Sequence, residues 1–244
     1  MPIQVKDFLA GRMENFLRTR LYDETHGHGK SFRPSITISR QTGVGFEKIH
    51  QKLVEYLDEA DDSDGETWAI FDQALVGQII EDNRLDDEVE PYLVENTKIP
   101  VVEALEQMLN LHPSEWTLFN YTANTIRKLC SSGHAVVSGR AGNFITADLP
   151  NTFHIRLVGS LPKRIEELQQ RLDIDHERAT SIIADTDKAK EKYVKRYTGA
   201  DISDPCFYHM VINTDNCSDE LLVKLIVDPM MEWAFEKERA RAER

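Results

Sequence analysis

A glycine turn between a predicted strand and a predicted helix is the feature of this sequence that points most directly to chemistry. Residues 35–39 form a β-branched run typical of a buried strand, and residues 46–57 carry apolar side chains at helical spacing. Gly43 and Gly45 lie between these two segments. Glycine permits positive φ and close backbone approach, and the N–H groups that open a helix attract anions. The turn is therefore either a phosphate-binding loop or an ordinary tight connection.

A second glycine segment, residues 29–31 (Gly-Lys-Ser), imitates the end of the phosphate-binding motif GxxxxGK[ST]. That motif needs a strand before it and a helix after it, because the helix N-terminus helps to hold the phosphates. Glu24 stands where the first glycine belongs, and an extended stretch is predicted at residues 32–34. We therefore reject this segment as a phosphate site. His26 and His28 nearby lack a third ligand, so no metal site is predicted.

A basic face is predicted on the helix at residues 175–196. Four cations recur there at i, i+4, i+7 and i+8, which places them on one side of a helix. Cations stabilise the charge of a migrating phosphoryl group, so this face suits a phosphate ligand, although a solvated face paired with nearby acids is the alternative. The basic face consists of Lys188, Lys192, Lys195 and Arg196, and the nearby acids are Asp185, Asp187 and Glu191. Lys190, Tyr193 and Tyr197 point the other way and are assigned to packing or to the rim.

The charge balance and the cysteine content exclude several classes of protein. The formal net charge of −13 gives a surface that repels nucleic-acid backbones, so no nucleic-acid partner is expected. The three cysteines have no CxxC spacing, which argues against a disulfide framework or a zinc site and favours the cytoplasm. No apolar run approaches the length of a membrane helix, and the first residues lack the pattern of a secretory signal. We therefore expect a soluble protein with no membrane partner.

The order of the predicted elements defines an α/β fold class. Strands separated by helical segments predict a parallel sheet with helices on both faces. The predicted strands are residues 35–39, 67–71, 134–138, 153–158 and 208–213. The predicted helices are residues 6–22, 46–57, 73–82, 86–94, 100–110, 114–131, 161–171 and 175–196, followed by a helix from 218 that leads into another near 231–243. We divide the chain into an N-terminal helix and linker (1–34), a nucleotide-binding domain (35–228) and a charged C-terminal helix (229–244).

Four segments, taken in order, resemble blocks of the cytidylate kinase-like family of P-loop nucleoside monophosphate kinases. Residues 35–53 (SITISRQTGVGFEKIHQKL) resemble its first strand and phosphate loop, and residues 70–80 (IFDQALVGQII) resemble its second block. Residues 136–145 (VVSGRAGNFI) are similar to its Gly-Arg block, and residues 186–214 are similar to its lid and last strand. The blocks occur in the order of the family over about 35–220, and it is this ordered set that makes the resemblance specific.

The resemblance implies a fold, a reaction and a set of site residues. The implied fold is a three-layer α/β/α sandwich with a five-stranded parallel sheet, a helical insert at about 73–131 and a basic lid at about 175–200. The implied ligands are ATP and Mg²⁺, with phosphoryl transfer to an acceptor such as CMP. The predicted nucleotide-binding residues are Gln41, Thr42, Gly43, Val44, Gly45 and Phe46. The catalytic candidates are Arg40, Arg140, Lys188, Lys192 and Arg196, and the acceptor-binding candidates are Asp72 and Arg140.

The glycine loop departs from the pattern of a working phosphate loop. Phe46, Glu47 and Lys48 stand where a Walker loop has its lysine and hydroxyl residue, and Val44 replaces the serine of the family. A carboxylate at Glu47 suits a helix N-terminus but repels a bound triphosphate. Arg40 or a lysine of the lid is therefore expected to supply the missing cation.

Two functions remain open at this point. The first is an ATP-dependent kinase of a nucleoside monophosphate or a related small phosphate acceptor; the second is a catalytically degenerate nucleotide-binding regulator. Ala141 replaces the acid that follows Arg140 in the pattern, so this position does not support specificity for CMP. A purely structural protein would leave the glycine turn and the basic face unexplained. The terminal helices at 6–22 and 231–243 pack either on their own core or on a second copy, so a homodimer is one of the expected arrangements.

Overall fold

The computed structural model describes residues 3–26, 32–61, 67–72 and 115–243. The helices expected at 73–82, 86–94 and 100–110 lie outside these ranges, and so does the Gly-Lys-Ser segment at 29–31. The part of the predicted insert that the structure describes begins at Glu115.

A five-stranded parallel sheet forms the centre of the molecule. Its strands are β1 (Ser35–Arg40), β2 (Ala69–Phe71), β3 (Ala135–Ser138), β4 (Thr152–Val158) and β5 (Met210–Asn213). They lie in the order β2-β3-β1-β4-β5, and every neighbouring pair is parallel. Ile36 of β1 is aligned with Val136 of β3 on one side and with Phe153 of β4 on the other. The predicted α/β class and the five-stranded parallel sheet are confirmed.

Seven helices accompany the sheet in the described part of the chain. They are α1 (Ile3–His26), α2 (His50–Ala60), α3 (Glu115–Ser132), α4 (Gly142–Ile145), α5 (Leu161–Leu172), α6 (His176–Thr198) and α7 (Asp219–Ala242). A short 3-10 turn, Phe46–Lys48, precedes α2. Asp175 caps α6, because its carboxylate accepts a hydrogen bond from the backbone N–H of Arg178 over 2.7 Å.

Two apolar clusters cover the two faces of the sheet. The side chains of Ile36 and Ile38 pass into the larger cluster, where α2 and α7 pack on β1 and β4. The smaller cluster joins Phe71 of β2 and Val137 of β3 to α3, and it includes Phe16 of α1. Helices on both faces of the sheet make a three-layer arrangement. Because both faces are covered, a ligand is expected at the carboxyl ends of the strands.

The terminal helices differ from the predicted boundaries. Helix α1 extends to His26, so its last residues are helical although a linker was predicted there. Leu9 and Phe16 of α1 are buried in the chain's own core, and the rings of Phe16 and Phe71 lie 5.3 Å apart. At the other end, residues 229–244 were predicted as a separate helix, but α7 runs continuously through Pro229 and buries Met230 in the main core. The apolar spacing of α7 continues through the proline, which explains the single helix.

Helices α5 and α6 form an antiparallel hairpin that follows β4. Ile165 and Leu168 of α5 pack against Ala179 and Ile183 of α6 in a small core of their own. This lid hairpin contains α6, the element that was predicted as a lid, and it lies against the glycine loop. No helix in the described ranges combines the length and apolar character needed to cross a membrane.

Candidate functional site

The glycine loop connects β1 to α2 at the carboxyl edge of the sheet. Gly43 and Gly45 have φ values of 85° and 75°, the left-handed conformation that glycine adopts without strain. A Cβ atom at Gly43 would lie 2.5 Å from the carbonyl oxygen of Arg164 on α5, so the loop also needs a glycine for close contact. Val44 and Phe46 turn their side chains into the core. They can therefore contribute only backbone groups to a ligand on the loop.

The front of the loop binds a carboxylate from the lid hairpin. The backbone N–H of Thr42 donates to Asp187 Oδ1 over 2.8 Å, and the Thr42 hydroxyl donates to the same oxygen over 2.7 Å. Arg164 donates to the other oxygen, Oδ2, over 2.6 Å and to the Thr42 carbonyl over 3.2 Å. Burial raises the pKa of Asp187, but the Thr42 bonds and the two neighbouring cations, Lys190 and Arg164, outweigh it and hold the pKa below its ordinary value. The loop is thus an anion cradle that already contains a negative charge.

Lys190 completes the cradle from α6. Its Nζ donates to Thr42 Oγ1 over 2.8 Å and to the Arg40 carbonyl over 3.2 Å. Burial lowers the pKa of Lys190, and the nearby Arg40 charge lowers it further, while Asp187 opposes both. The assignment of Lys190 to packing or to the rim was wrong, because its side chain crosses directly to the loop. A lysine of the predicted lid therefore lies beside the glycine loop, at the Thr42 hydroxyl.

A cavity of about 240 Å³ lies beside the loop, at the carboxyl ends of β1 and β3. Strands β2 and β3 lie on one side of β1, and strands β4 and β5 lie on the other side. The cavity therefore lies at the switch point of the sheet, which is where ligands bind in open α/β sheets. Three cations line the cavity: Arg40, Arg140 and Lys190. Each comes from a different element, namely the end of β1, the turn after β3 and α6. The structure therefore brings two predicted arginines together with a lysine that was not predicted.

Arg40 is held by a network at the end of β1. Its Nη1 donates to Ser138 Oγ over 2.5 Å, and its Nη2 lies 3.3 Å from Glu47 Oε1. Arg171 of α5 lies 3.0 Å from Glu47 Oε2. Burial raises the pKa of Glu47, but Arg40 and Arg171 lower it more, so the net pKa lies below the ordinary value. Glu47 is therefore a paired carboxylate, and part of the Arg40 charge is already compensated.

Arg140 is positioned by an unusual backbone. Gly139, Arg140 and Ala141 have successive φ values of 87°, 52° and 58°. Left-handed conformations of residues other than glycine are uncommon and concentrate at functional sites. The turn places Arg140 near Tyr193 of α6, whose pKa burial raises and the Arg140 charge partly lowers. No carboxylate lies within ion-pair distance of Arg140 in the parts of the chain that the structure describes.

The predicted cations of the lid lie farther from the loop. Lys192 and Arg196 are exposed and line a shallower cavity of about 420 Å³, which they share with Arg140 and the aromatic rings of Phe119 and Tyr197. The Phe119 and Tyr197 rings stack with centroids 4.4 Å apart, so this aromatic contact ties α6 to α3. Lys188 is exposed and lines none of the described cavities.

Gln41 and Asp72 occupy the flanks of the site. Gln41 Oε1 accepts a hydrogen bond from the backbone N–H of Gly159 over 3.0 Å, which ties the loop to the end of β4. Asp72 follows β2 directly and is half-buried. Its charge acts on His50, a buried residue of α2 whose pKa burial lowers to about 4. Asp72 thus lies near the loop, and the structure shows Gln41 as a structural anchor.

A further groove of about 220 Å³ borders the loop at Gly43 and Val44. Its other walls come from the beginning of α5, at Lys163 and Arg164, and from the turn after β5, at Asp215. The loop is therefore flanked by two spaces, the groove and the cavity at the switch point. No cluster of three or more His, Cys, Asp or Glu residues suited to a metal occurs within the described ranges.

Three residues of the site were missed by the sequence analysis: Arg164, Asp187 and Lys190. Asp187 and Lys190 are separated by three positions, so a shared helical face was readable from the sequence. Which face of α6 meets the loop was not readable, because it depends on how the hairpin packs. Arg164 had no distinguishing signal on a helix that carries several charges.

Comparisons with a family model, a curated protein and solved structures show what the chain is similar to. The model of the cytidylate kinase-like family matches residues 35–216, which is most of the chain. The cytidylate kinase of Methanopyrus kandleri is 29% identical over 118 residues. That match covers 43% of this chain and 61% of the relative, so the chain spans about three fifths of the curated relative's length.

Two solved structures each match 82% of this chain. The crystal structure of an uncharacterized protein from Eubacterium ventriosum is 16% identical with a TM-score of 0.60, and the match covers 82% of this chain and 99% of the other. The shikimate kinase of Bacteroides thetaiotaomicron is 11% identical with a TM-score of 0.44, over 82% of this chain and 96% of the other. At such identities the first match shows the fold alone.

Proposed function

The chain belongs to the cytidylate kinase-like family, and from this membership we propose that it transfers the terminal phosphoryl group of a nucleoside triphosphate to a small acceptor that carries a phosphate. The observation that carries the proposal is the convergence of Arg40, Arg140 and Lys190 on one cavity beside the glycine loop. Phosphoryl transfer needs little covalent chemistry from the protein. It depends on holding two substrates in line and on stabilising the negative charge that passes between them.

The glycine loop is the proposed donor site. The N–H groups around Gly43 and Gly45 and the beginning of α2 form a backbone arrangement that suits phosphate oxygens. The groove at Lys163 and Asp215 borders the same loop and would take the nucleoside part of the donor. The hydrogen bonds that the N–H and the hydroxyl of Thr42 donate to the Asp187 carboxylate support an anion position on this loop.

The cavity at the switch point is the proposed acceptor site. Arg140 has no carboxylate partner in the described part of the chain, so it is available to an acceptor phosphate. Lys190 lies between the loop and the cavity, where the transferred group would pass, and Arg40 lines the same cavity. In this role Lys190 and Arg40 stabilise the charge of the transferred group, and Arg140 orients the acceptor.

Magnesium is the proposed metal, and the residues at the loop fit it. The Thr42 hydroxyl and Asp187 Oδ1 are oxygen donors 2.7 Å apart at the front of the loop, and Asp72 follows β2, which β3 separates from β1. Mg²⁺ in kinase sites is bound by one or two carboxylates together with phosphate oxygens and water. Bound there, the ion would supply positive charge to the donor phosphates. Thr42 and Asp187 are the residues that would hold it.

A second candidate function is nucleotide binding without transfer. The ion pair between Arg40 and Glu47 favours it, because Glu47 compensates a charge that a working phosphate loop leaves for the ligand. In this case the loop would bind a nucleotide as a regulatory signal. Stabilisation of the protein by nucleotide, without turnover, distinguishes this function from the first.

The proposed reaction is tested by measuring ADP release from ATP and Mg²⁺ with a panel of acceptors. The panel contains the ribonucleoside and deoxyribonucleoside monophosphates and small phosphate monoesters. We expect turnover with at least one of them and a loss of about a hundredfold or more in Arg140→Ala. Arg178→Ala is the matched control, since Arg178 is an exposed arginine on the first turn of α6. Absence of turnover with the whole panel, together with a thermal shift by ATP, would leave the regulator as the function.

CMP as the acceptor, a cytoplasmic location and a homodimer stay predictions. Acceptor identity follows from the same panel, and the oligomeric state follows from light scattering of the purified protein. Leu9 and Phe16 of α1 are buried in their own chain, so these two side chains are not available to a second copy.

A further inference from the structure

Asn143 is a buried amide in the wall of the cavity at the switch point, and the reaction proposed above gives it no role. Only 4% of its surface is exposed, and it lines the cavity together with Arg140. Arg140 belongs to the left-handed turn after β3, and Asn143 follows three positions later in α4. The backbone that brings Arg140 to the cavity therefore also brings Asn143 to it.

A single hydrogen bond fixes the orientation of the Asn143 amide. Its Nδ2 donates to the backbone carbonyl of Phe207 over 3.4 Å, which is a long hydrogen bond. A carbonyl oxygen only accepts, so the NH₂ end of the amide is the end that meets Phe207. The other end, Oδ1, has no hydrogen-bond partner in the described part of the chain.

The Oδ1 atom of Asn143 borders open space. Within the described ranges, fully enclosed side-chain atoms without a partner occur at Arg33, His50, Thr152 and Glu167, but not at Asn143. Because Oδ1 has no partner and is still not enclosed, it retains contact with the cavity that Asn143 lines. A polar atom that is withdrawn from bulk water and left unpaired is costly. The cavity therefore offers a ligand an unused hydrogen-bond acceptor.

Ser39 offers a hydrogen-bond donor to the same cavity, which it also lines. Its Oγ accepts a hydrogen bond from Arg156 Nη1 over 2.8 Å, so the hydroxyl hydrogen of Ser39 points elsewhere. Tyr208 Oη lies 3.4 Å from Ser39 Oγ, beyond the usual length of such a bond, and gives its own hydrogen to the Ile202 carbonyl over 2.9 Å. The Ser39 hydrogen thus remains for a ligand.

These neutral groups discriminate between classes of ligand group. Asn143 Oδ1 only accepts hydrogen bonds, so it repels the oxygens of a second phosphate or a carboxylate, which also only accept. A hydroxyl group both donates and accepts, so it suits Oδ1 as well as the Ser39 hydroxyl. The cations Arg40, Arg140 and Lys190 line the same cavity and suit a phosphate. An acceptor with one phosphate and a separate hydroxyl group satisfies both sets of side chains.

We infer that Asn143 is a specificity residue of the acceptor cavity, whose Oδ1 accepts a hydrogen bond from a hydroxyl group of the acceptor. This inference rests on the proposed function, because it uses the same cavity. The acceptor class is then a hydroxylated phosphate monoester, such as a sugar phosphate or a ribonucleotide. A site that hydrogen-bonds a hydroxyl group rejects the analogue without it, because the protein atom is then left unpaired.

The test compares probe molecules that differ by one hydroxyl group. One set is CMP with its 2′-deoxy and 3′-deoxy forms; the other is ribose 5-phosphate and 2-deoxyribose 5-phosphate. Dissociation constants are measured by titration calorimetry with the full chain. We expect the probe with the additional hydroxyl to bind about tenfold more tightly in at least one comparison, which corresponds to about 1.4 kcal/mol. The base or the rest of the sugar is the same within each comparison, so it cannot cause the difference.

Two variants of Asn143 show whether its oxygen causes the preference. Asn143→Leu removes both polar atoms and is expected to abolish the preference. Asn143→Asp keeps an acceptor oxygen and is expected to retain the preference, although its charge weakens the binding of every phosphate probe. Asn216→Leu, at an exposed asparagine that lines none of the described cavities, is the matched control and is expected to bind like the wild type.

The possible outcomes separate this inference from the proposed function. Thermal unfolding shows whether Asn143→Leu is folded; if it is not, Asn143→Ala replaces it. A preference that is absent in the wild type, unchanged when the amide is removed, or lost in Asn143→Asp overturns the inference. The proposed function then still stands if Arg140→Gln weakens the binding of every probe. No binding of any probe overturns both.

Discussion

The backbone N–H of Thr42 donates a hydrogen bond to the Asp187 carboxylate over 2.8 Å, although the two residues are 145 positions apart. A side chain of the lid hairpin thereby occupies an anion position on the glycine loop. The same carboxylate is held by the Thr42 hydroxyl, Arg164 and Lys190. The contact joins the glycine loop to α6, the element that was predicted as a lid. Four predictions follow from this site and its surroundings, and each can be tested on the purified protein.

Asp187→Asn is expected to separate two effects of the carboxylate. Without a divalent cation, the negative charge of Asp187 opposes a bound triphosphate, so the variant binds ATP several-fold more tightly in EDTA. With Mg²⁺ the gain disappears, because the carboxylate is then a ligand of the ion. Titration calorimetry under both conditions measures the difference. Asp185→Asn, an exposed neighbour on α6, is the control, and equal ATP affinity of both variants in EDTA would contradict the prediction.

Lys190 and Lys192 offer a matched comparison on one helix. Lys190 donates to the loop at Thr42, whereas Lys192 is exposed and lines the shallower cavity. Removal of a cation beside the transferred group typically costs about a hundredfold in turnover. We expect Lys190→Met to lower kcat by about this factor and Lys192→Met to change it by less than about threefold. The reverse order would show that the basic face predicted from helical spacing is the functional one.

Alanine substitutions at Gly43 and Gly199 distinguish the cost of backbone strain from the cost of a close atomic contact. Both have positive φ, 85° and 72°, so alanine is strained at either position by about 1–2 kcal/mol. Only at Gly43 would the new Cβ atom also meet the Arg164 carbonyl oxygen, at 2.5 Å, whereas nothing lies within 4 Å at Gly199. We expect Gly43→Ala to lower the free energy of unfolding more than Gly199→Ala and to weaken nucleotide binding. Chemical denaturation and ATP titration measure both effects, and equal losses of stability would argue against the contact.

His50 is expected to contribute to acid sensitivity. Burial lowers its pKa from the ordinary value of 6.5 to about 4, with Arg40 lowering it further and Glu47 and Asp72 opposing. The unfolded chain therefore takes up a proton between these values and the folded chain does not, so stability is complete above about pH 6.5 and falls as the pH drops toward 4. The loss from this residue reaches about 3 kcal/mol.

His50→Leu tests this account. The Nε2 atom of His50 has no hydrogen-bond partner in the described part of the chain, so an apolar replacement leaves no partner unpaired. We expect unchanged or higher stability at pH 7.5 and a smaller loss between pH 7 and 4.5, measured by chemical denaturation. His176→Leu is the control, because His176 is exposed. If His50→Leu loses as much stability as the wild type between pH 7 and 4.5, groups other than His50 cause the acid sensitivity.

Much of the fold could be predicted because it follows from local patterns of residue type and spacing. The β-branched runs at β1 and β3 and the helical spacing around them define a parallel sheet. The chain order then places the glycine turn and Arg140 at the same edge, because parallel strands end on one side of a sheet. The same rule selected the glycine loop over the Gly-Lys-Ser segment as the candidate phosphate site, since only the loop follows a predicted strand.

The sequence by itself determined the sheet, the position of the glycine loop and the presence of arginines at the strand ends. Tertiary structure decided which side chains meet the loop. Helical spacing assigned Lys188 and Lys192 to one face of α6 and Lys190 to another, but it carried no information about which face the hairpin presents. That choice depends on the packing of α5 on α6 and on the contacts of Asp187 with Thr42. These contacts join residues far apart in the chain, so no local pattern could reveal them.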